Sequence, residues 1–270
     1  SRGQLSPRER LNAILDSDTF FLELYNMANY LVEDTNPDTS IPGANLIAGI
    51  GYISGVKCMI MIDDSGIKAG AASEATIDKA LGCLDIALKQ KLPCVHLVES
   101  AGVDLPNYSV KLWSKFGSVF YKKAKLSAAG IPVIAILHGF STAGGAYQIG
   151  MSDYVIGVKG NGMAALAGSA LLKAATGENA TNSDIGGVEM HSVVTGSVEY
   201  LVNDDAESIV TVRKLIDQLN WNENDAQKTT LNFEDPEYPI EDLAGIVPTD
   251  YSKGYDVREV IARLVDQSGF

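Results

Sequence analysis

Glycine and alanine, rather than acids or histidines, crowd the places in this chain where chemistry would be done. One such run reads His138-Gly139-Phe140-Ser141-Thr142-Ala143-Gly144-Gly145-Ala146-Tyr147. Small side chains let another group approach the backbone closely. If the run opens a helix, its first N–H groups lack internal acceptors and carry partial positive charge. Such a place suits a carbonyl oxygen becoming an oxyanion. The same residues also serve tight packing of helix on strand, and this stretch alone leaves both readings open. A second small-residue turn, Glu99-Ser100-Ala101-Gly102-Val103-Asp104, follows another apolar run. No acid/base pair announces itself. His96 lies inside a strand and His191 in a turn-rich stretch, and both read as structural; His138 precedes the glycine turn, where a structural hydrogen bond is the favoured reading and an approach to the pocket the other.

These turns need elements to hold them. Residues 131–137 and 154–158 read as apolar strands on either side of the glycine turn, with a short helix between. Upstream, Leu46–Ile53 and Val56–Asp63 form a hairpin joined at Ser54-Gly55. Ser73 caps a helix to Lys91 whose buried stripe is Ile77, Leu81, Leu84 and Leu88. Cys94–Val98 is a strand, and a long helix at 110–129 follows. Helical patterns are also expected at 6–15, 20–31, 167–178, 204–219 and 255–264. Lys122, Lys123 and Lys125 read as a solvated helix face or, failing that, as cations for phosphates or a partner, and Asp204-Asp205 reads as a helix cap. Helices alternate with strands, which argues α/β with mostly parallel pairing. If the strands before the two small-residue turns are neighbours, both turns open on one sheet edge, where ligands of such folds bind.

Composition narrows the function classes. At 270 residues the chain can bury one large core or two modest ones. A net charge of −13 argues against a nucleic-acid surface, which needs clustered Lys and Arg. No run is long and apolar enough to span a bilayer, and the N-terminus lacks a signal-peptide core. Cys58, Cys83 and Cys94 are odd in number and far apart, so they read as buried thiols of a reducing, cytoplasmic setting, not as bridges or metal ligands. Residues 222–250 are acidic and contain proline, which suggests an extended wrap or linker. Both ends read as those of an excised domain or a split subunit.

Several stretches carry a resemblance. Arg2-Gly3-Gln4-Leu5-Ser6-Pro7-Arg8-Glu9-Arg10, Glu99-Ser100-Ala101-Gly102 and Thr142-Ala143-Gly144-Gly145-Ala146-Tyr147 are three of them. Leu172-Lys173-Ala174-Ala175-Thr176-Gly177-Glu178, Gly186-Gly187-Val188-Glu189-Met190-His191 and Tyr255-Asp256-Val257-Arg258-Glu259-Val260-Ile261 are the others. In this order they resemble the carboxyltransferase β subunits of biotin-dependent acyl-CoA carboxylases, with wording nearest the methylcrotonyl, geranyl and long-chain members. The resemblance implies a crotonase-like (ClpP/crotonase) fold built from repeated ββα units. Residues 1–221 would be the N-terminal carboxyltransferase domain, and 222–270 a wrap and terminal helix of that domain. The resemblance also implies a second, biotin-side domain, which this stretch of sequence would not include. It also implies an acyl-CoA or acyl-carrier thioester as substrate and no metal in this chain. Biotin would arrive on a partner carrier domain. The implied partners are a carboxyltransferase C-terminal domain or subunit, biotin carboxyl carrier protein and biotin carboxylase, in a homo- or hetero-oligomer.

By the same resemblance, the N–H groups of Ala101 and Gly102 form an oxyanion hole for the thioester enolate. Gly144 and Gly145 shape the acyl pocket and present a helix start, with Thr142, Ala143 and Ala146 lining it. Lys68, Ala69, Gly70 and Ala71 correspond to the CoA-facing loop, and Val103 stands where relatives are often polar or basic. Only Lys68 and Lys79 remain as phosphate partners, so free CoA is expected to bind weakly, or the acyl group to arrive on a carrier protein. Two other readings stand beside this one. One is a biotin-independent thioester decarboxylase or hydrolase of the crotonase superfamily; the other is a catalytically silent assembly subunit.

Overall fold

The computed structural model describes residues 4–107, 109–221, 234–250 and 252–270, and the chain divides into two compact units, Ser1–Asn222 and Glu223–Phe270. In the first unit, helix α1 (Pro7–Ile14) starts at a capping box in which Ser6 and Glu9 satisfy each other's backbone N–H groups. A two-residue edge strand, β1 (Leu22–Glu23), precedes a hairpin of β2 (Leu46–Ile53) and β3 (Val56–Asp63). The hairpin turn, Ser54-Gly55, has φ values of 48° and 75°. Both residues thus take the left-handed conformation that a tight type I′ turn requires. Asp16 pins the turn by accepting from both of its N–H groups, at 2.8 and 2.7 Å.

From there strands and helices alternate. β4 (Ala71–Ala72), α2 (Glu74–Gln90), β5 (Cys94–Val98), β6 (Gly102–Val103), α3 (Val110–Ala128) and β7 (Val133–Leu137) come first. They are followed by β8 (Phe140–Thr142), α4 (Gly144–Gly150), β9 (Tyr154–Val158) and β10 (Met163–Ala165). Helices α5 (Ser169–Thr176), α6 (Asn182–Gly186) and α7 (Val188–Met190), then β11 (Tyr200–Val202) and α8 (Asp205–Gln218), complete the unit. The main sheet runs β1-β2-β3-β5-β7-β9-β11, antiparallel up to β3 and parallel beyond it. Crossovers cover both faces, so β5 and β7 are buried at every residue. Alternating side chains divide the core. Ile60, Ile62, Val95, Leu97, Ile134 and Ile136 pack with α1 and α8, whereas Met59, Met61, Cys94 and Val133 pack with α2 and α3.

The strand adjacency expected from the sequence holds. β5 and β7 pair in parallel from Cys94↔Val133 to Val98↔Leu137. Both small-residue turns therefore leave the same sheet edge. There β6 pairs with β4 and β8 with β10, forming two small parallel ladders outside the main sheet.

Three expectations need correction. Residues 20–31 form β1 and irregular turns instead of a helix, with Tyr25 and Leu31 at positive φ. β1 lies against Gly49, where a Cβ would sit 2.3 Å from the Leu22 carbonyl oxygen. Edge pairing made possible by that glycine outweighs a weak helical pattern. On α2 the tight contacts are made by Ile77, Ala80, Cys83, Leu84 and Ala87, while Leu81 and Leu88 are only partly buried. Small residues there allow α2 to pack closely. Lys123, expected on a solvated face, is 0% exposed. It recurs at helical spacing with Leu112, Phe116, Val119 and Leu126, so it occupies a position on the apolar stripe.

Cys58, Cys83 and Cys94 are all buried and unbridged. Burial pushes the Cys83 thiol up to about 12 and that of Cys94 to about 11. Of the expected acidic wrap at 222–250, residues 222–233 lie outside the described residues. The rest contains a short helix, α9 (Leu243–Ile246), preceded by a tight turn at Ile240–Asp242. The terminal helix α10 (Val257–Ile261) is capped by Asp256 and shorter than expected. Arg263 reaches back to Glu259 at 2.9 Å and lies over the Tyr238 ring.

Candidate functional site

Parallel pairing of β5 and β7 dictates that the chain leaves both strands side by side. The Thr142 N–H donates to the Ser100 carbonyl at 2.9 Å, which stitches the two turns together. Glycines make the approach possible. A Cβ on Gly145 would lie 2.5 Å from the Ser100 carbonyl oxygen, and one on Gly144 would lie 2.1 Å from the Phe116 ring. Gly102 has φ +85°, and a Cβ there would lie 3.2 Å from the Thr142 oxygen and 3.4 Å from the Gly144 nitrogen. Gly102 and Gly144 thus stand face to face across a narrow gap.

The donors of these turns divide into engaged and aimed groups. The Ala143 N–H donates to Ala165, and the Ala146 N–H to Ala143, at 3.0 and 3.1 Å. The Gly102 N–H donates to Ser100 Oγ at 3.2 Å, and that hydroxyl donates to the Gly70 carbonyl at 3.1 Å. Gly144 and Gly145 supply the first two helical N–H groups of α4, which have no acceptor within a helix. Ala143, just before them, is held at φ 50° and ψ −120°. An L-residue in that region stores on the order of 1–3 kcal/mol, and such strain concentrates where a backbone must be aimed. Ala101 is exposed at the tip of its turn and lies outside the positive-φ residues.

The residues expected from the sequence to face phosphate are arranged differently. A cleft of about 360 Å³ is lined by Glu33, Lys68, Glu74, Asp104 and Asn107 among others. Lys68 Nζ lies 2.9 Å from Glu33 and 3.2 Å from Asp104, and the Glu33 bond is the main cause that raises its pKa. Ala69 and Gly70 continue that loop at positive φ, and Ala71 pairs with Gly102. Lys79 is elsewhere: it is 1% exposed and donates to the Gly43 carbonyl at 3.3 Å. The structure therefore does not bring it to the cleft. Val103 is buried with the α2–α3 core.

Beside α4 a mostly apolar opening of about 330 Å³ is lined by Ala146, Tyr147, Met151, Leu166, His191 and Val198 among others. Of this lining, Ala146 was expected from the sequence as a pocket residue and His191 as a structural one. The histidines hold structural positions. His191 Nε2 lies 2.7 Å from the Ala164 carbonyl oxygen. His138 is fully buried with Nδ1 3.5 Å from Glu99, and burial holds its pKa well below 6.5. Its neighbour Glu99 lies against Gly139, where a Cβ would be 2.4 Å from the Glu99 carboxyl carbon. His96 is likewise buried, between Asp63 and Lys123. Among the described residues no group of His, Cys, Asp and Glu side chains has the geometry of a metal site. No helix among them is long and apolar enough to cross a membrane.

Comparison with known proteins places this geometry in context. The model of the carboxyl transferase domain family matches residues 1–270. The mitochondrial methylcrotonoyl-CoA carboxylase beta chain of Dictyostelium discoideum is 40% identical over 272 residues, covering 100% of this chain and 46% of its own length. A probable biotin-dependent acyl-coenzyme A carboxylase beta2 subunit of Mycobacterium tuberculosis is 41% identical, covering 100% and 49%. Among solved structures, the β subunit of P. aeruginosa geranyl-CoA carboxylase superposes with a TM-score of 0.74 at 43% identity, covering 100% of this chain and 49% of that one. The transcarboxylase 12S structure, described as a hexamer with methylmalonyl-coenzyme A bound, gives a TM-score of 0.74 at 28% identity, covering 99% and 52%. The fold is crotonase-like, as these neighbours are. The chain spans about half the length of the relatives it matches.

Proposed function

This chain belongs to the carboxyl transferase domain family, and we propose from that premise that it forms the thioester half of a biotin-dependent acyl-CoA carboxyltransferase. The observation that carries the reading is the approach of Gly102 to Gly144, with their turns tied by the Thr142–Ser100 bond. A thioester carbonyl entering that gap would meet the Ala101 N–H on one side and the N–H groups of Gly144 or Gly145 on the other, while the Gly102 N–H, which donates to Ser100 Oγ at 3.2 Å, holds the turn in shape or would have to exchange that partner for the thioester oxygen. Preorganised donors of this kind stabilise the negative charge that the oxygen gains as the neighbouring carbon loses its proton. Biotin, carried on a partner domain, would supply the carboxyl group and accept the proton.

The side chains beside the turn favour that division of labour. His138 is fully buried and Glu99 lies against Gly139. A biotin-independent decarboxylase or hydrolase would instead need its own acid or base at Gly102. Several relatives at 40–43% identity carry methylcrotonoyl or geranyl names, beside one at 41% with a general acyl-coenzyme A carboxylase name, whereas methylmalonyl and propionyl names occur among those at 28–30%. This supports a branched, unsaturated acyl group. The pairing of Lys68 with two carboxylates supports weak recognition of free CoA phosphates, or delivery of the acyl group on a carrier protein.

The partners that complete the reading are a carboxyltransferase C-terminal domain or subunit, biotin carboxyl carrier protein and biotin carboxylase, within an oligomer. Residues 1–221 would carry the site, and 222–270 would belong to the same functional domain. Three buried, unbridged thiols fit a reducing compartment such as the cytoplasm. The test assembles this chain with those partners and a panel of acyl thioesters. Turnover that requires the biotinylated carrier is the expected result. Turnover without it points to the decarboxylase or hydrolase, and assembly without turnover points to a silent subunit.

A further inference from the structure

Three ionisable side chains form a continuous buried chain beneath the two turns. Asp63 ends β3, His96 lies in the middle of β5, and Lys123 belongs to α3. Asp63 Oδ1 is 3.1 Å from His96 Nε2, and His96 Nδ1 is 3.2 Å from Lys123 Nζ. An ammonium only donates, so Nδ1 accepts, and Nε2 carries the proton that is donated to Asp63. The ring is then neutral, in keeping with the way burial lowers its pKa. A negative and a positive charge are thus joined through a neutral spacer, with all three residues less than a tenth exposed.

Each end of this chain grips a different turn. Asp63 Oδ2 accepts the Glu99 N–H at 3.1 Å, at the foot of the turn that carries Ala101 and Gly102. Lys123 Nζ donates to the Gln148 carbonyl at 3.3 Å. That carbonyl lies in the last turn of α4, where carbonyls lack helical partners and a cation is favoured. The same helix begins at Gly144 and Gly145. Asp63, His96, Ser100 and Gln148 also share a cavity of about 40 Å³, so the network and both turns meet in one place. Burying a charged pair is costly, and apolar residues of similar volume would serve plain packing at least as well. What apolar packing does not supply is direction. Hydrogen bonds ending on two backbone groups fix where those groups point.

We propose that Asp63, His96 and Lys123 are a positioning network that holds the Ala101–Gly102 turn and the Gly144–Gly145 turn in register with each other. Its bearing on rate rests on the reading of those turns as the thioester oxyanion hole.

The test uses the chain assembled with its second domain, biotin carrier and biotin carboxylase. Asp63→Asn with Lys123→Met removes both charges together, so no lone buried charge is left behind. The expected result is a kcat lowered by about 10- to 100-fold, the scale set by small misplacements of reacting groups. KM for the thioester should stay within about threefold, as when an interaction made only in the transition state is lost. Amide hydrogen exchange should quicken at 99–102 and at 144–148 together. Lys123→Arg, which keeps charge and donors, should recover part of kcat. If the double variant does not fold, His96→Gln, which keeps both charges and breaks the spacer, is read in the same way. A folded variant with wild-type kcat overturns the proposal, and so does exchange that quickens at one turn but not the other. Should the wild-type assembly carboxylate no thioester, the functional reading falls, while the paired exchange measurement still decides whether the network couples the turns.

Discussion

The two ends of the proposed thioester site are built on opposite plans. At the carbonyl end the donors are backbone N–H groups, aimed by a positive-φ glycine, a strained alanine and the start of a helix. At the phosphate end the donors are lysines, and the fold has already given them partners. Lys68 lies between Glu33 and Asp104, and Lys79 is turned inward onto a carbonyl. A backbone donor is placed by the path of the chain. A side-chain charge, by contrast, is available only to the extent that its neighbours leave it so.

The contrast is broken most directly at Gly102. Gly102→Ala forces a Cβ onto a residue at φ +85° and within 3.2 Å of the Thr142 oxygen. The Thr142 carbonyl must then give by a few tenths of an ångström, and the backbone at 102 is strained in a conformation that L-residues rarely adopt. In the assembled enzyme kcat should fall by roughly 100- to 1,000-fold, the cost of losing one oxyanion donor, with circular dichroism unchanged. Steady-state carboxylation checks this, and an unaffected kcat would reduce the turn to a packing device.

Lys123 sharpens the contrast from the other side, as a lysine whose charge is fully enclosed. Desolvation lowers its pKa to about 8. The unfolded chain keeps its proton up to about 10.4, so between these values the unfolded state binds more protons and stability rises with pH. The rise attributable to this group is about 3 kcal/mol at most. Urea unfolding at about pH 7.5 and 10 should show it in the wild type and lack it in Asp63→Asn with Lys123→Met.

Smaller effects belong to the phosphate end. Neutralising the partners of Lys68, by Glu33→Gln with Asp104→Asn, should tighten acyl-CoA binding up to about tenfold at low salt, and the gain should fade as salt screens it. Lys68→Ala alone should change affinity by less than about threefold, because its charge is already offset. Calorimetric titration measures both. A large loss on removing Lys68 would mean that the cleft does hold phosphate.

What could be read from the residues follows the same division. The hairpin was legible because Ser54-Gly55 specifies its own turn type, whereas alternating helices and strands gave parallel pairing and left the adjacency of β5 and β7 as a condition that the structure meets. The facing of Gly102 and Gly144 depends on strand register, which spacing along the chain does not encode. The pairing of Lys68 with Glu33 was hidden because 20–41 folds by edge pairing and irregular turns, without a periodic signal. Lys123 is a different case, since its signal was present. It continues the stripe of Leu112, Phe116 and Val119, but its neighbours Lys122 and Lys125 disguised it as part of a charged face. A polar residue at an apolar position was the cue, and the buried network is what it marked.

The placement of the three thiols has a practical consequence for watching this protein move. Cys58 belongs to the layer beneath α1 and α8, whereas Cys83 and Cys94 belong to the layer beneath α2 and α3. Sealed and held protonated, none should react with an alkylating reagent until its own layer lifts. Modification rates followed cysteine by cysteine would therefore act as two separate clocks, one for each side of the sheet, and their order would tell which side opens first.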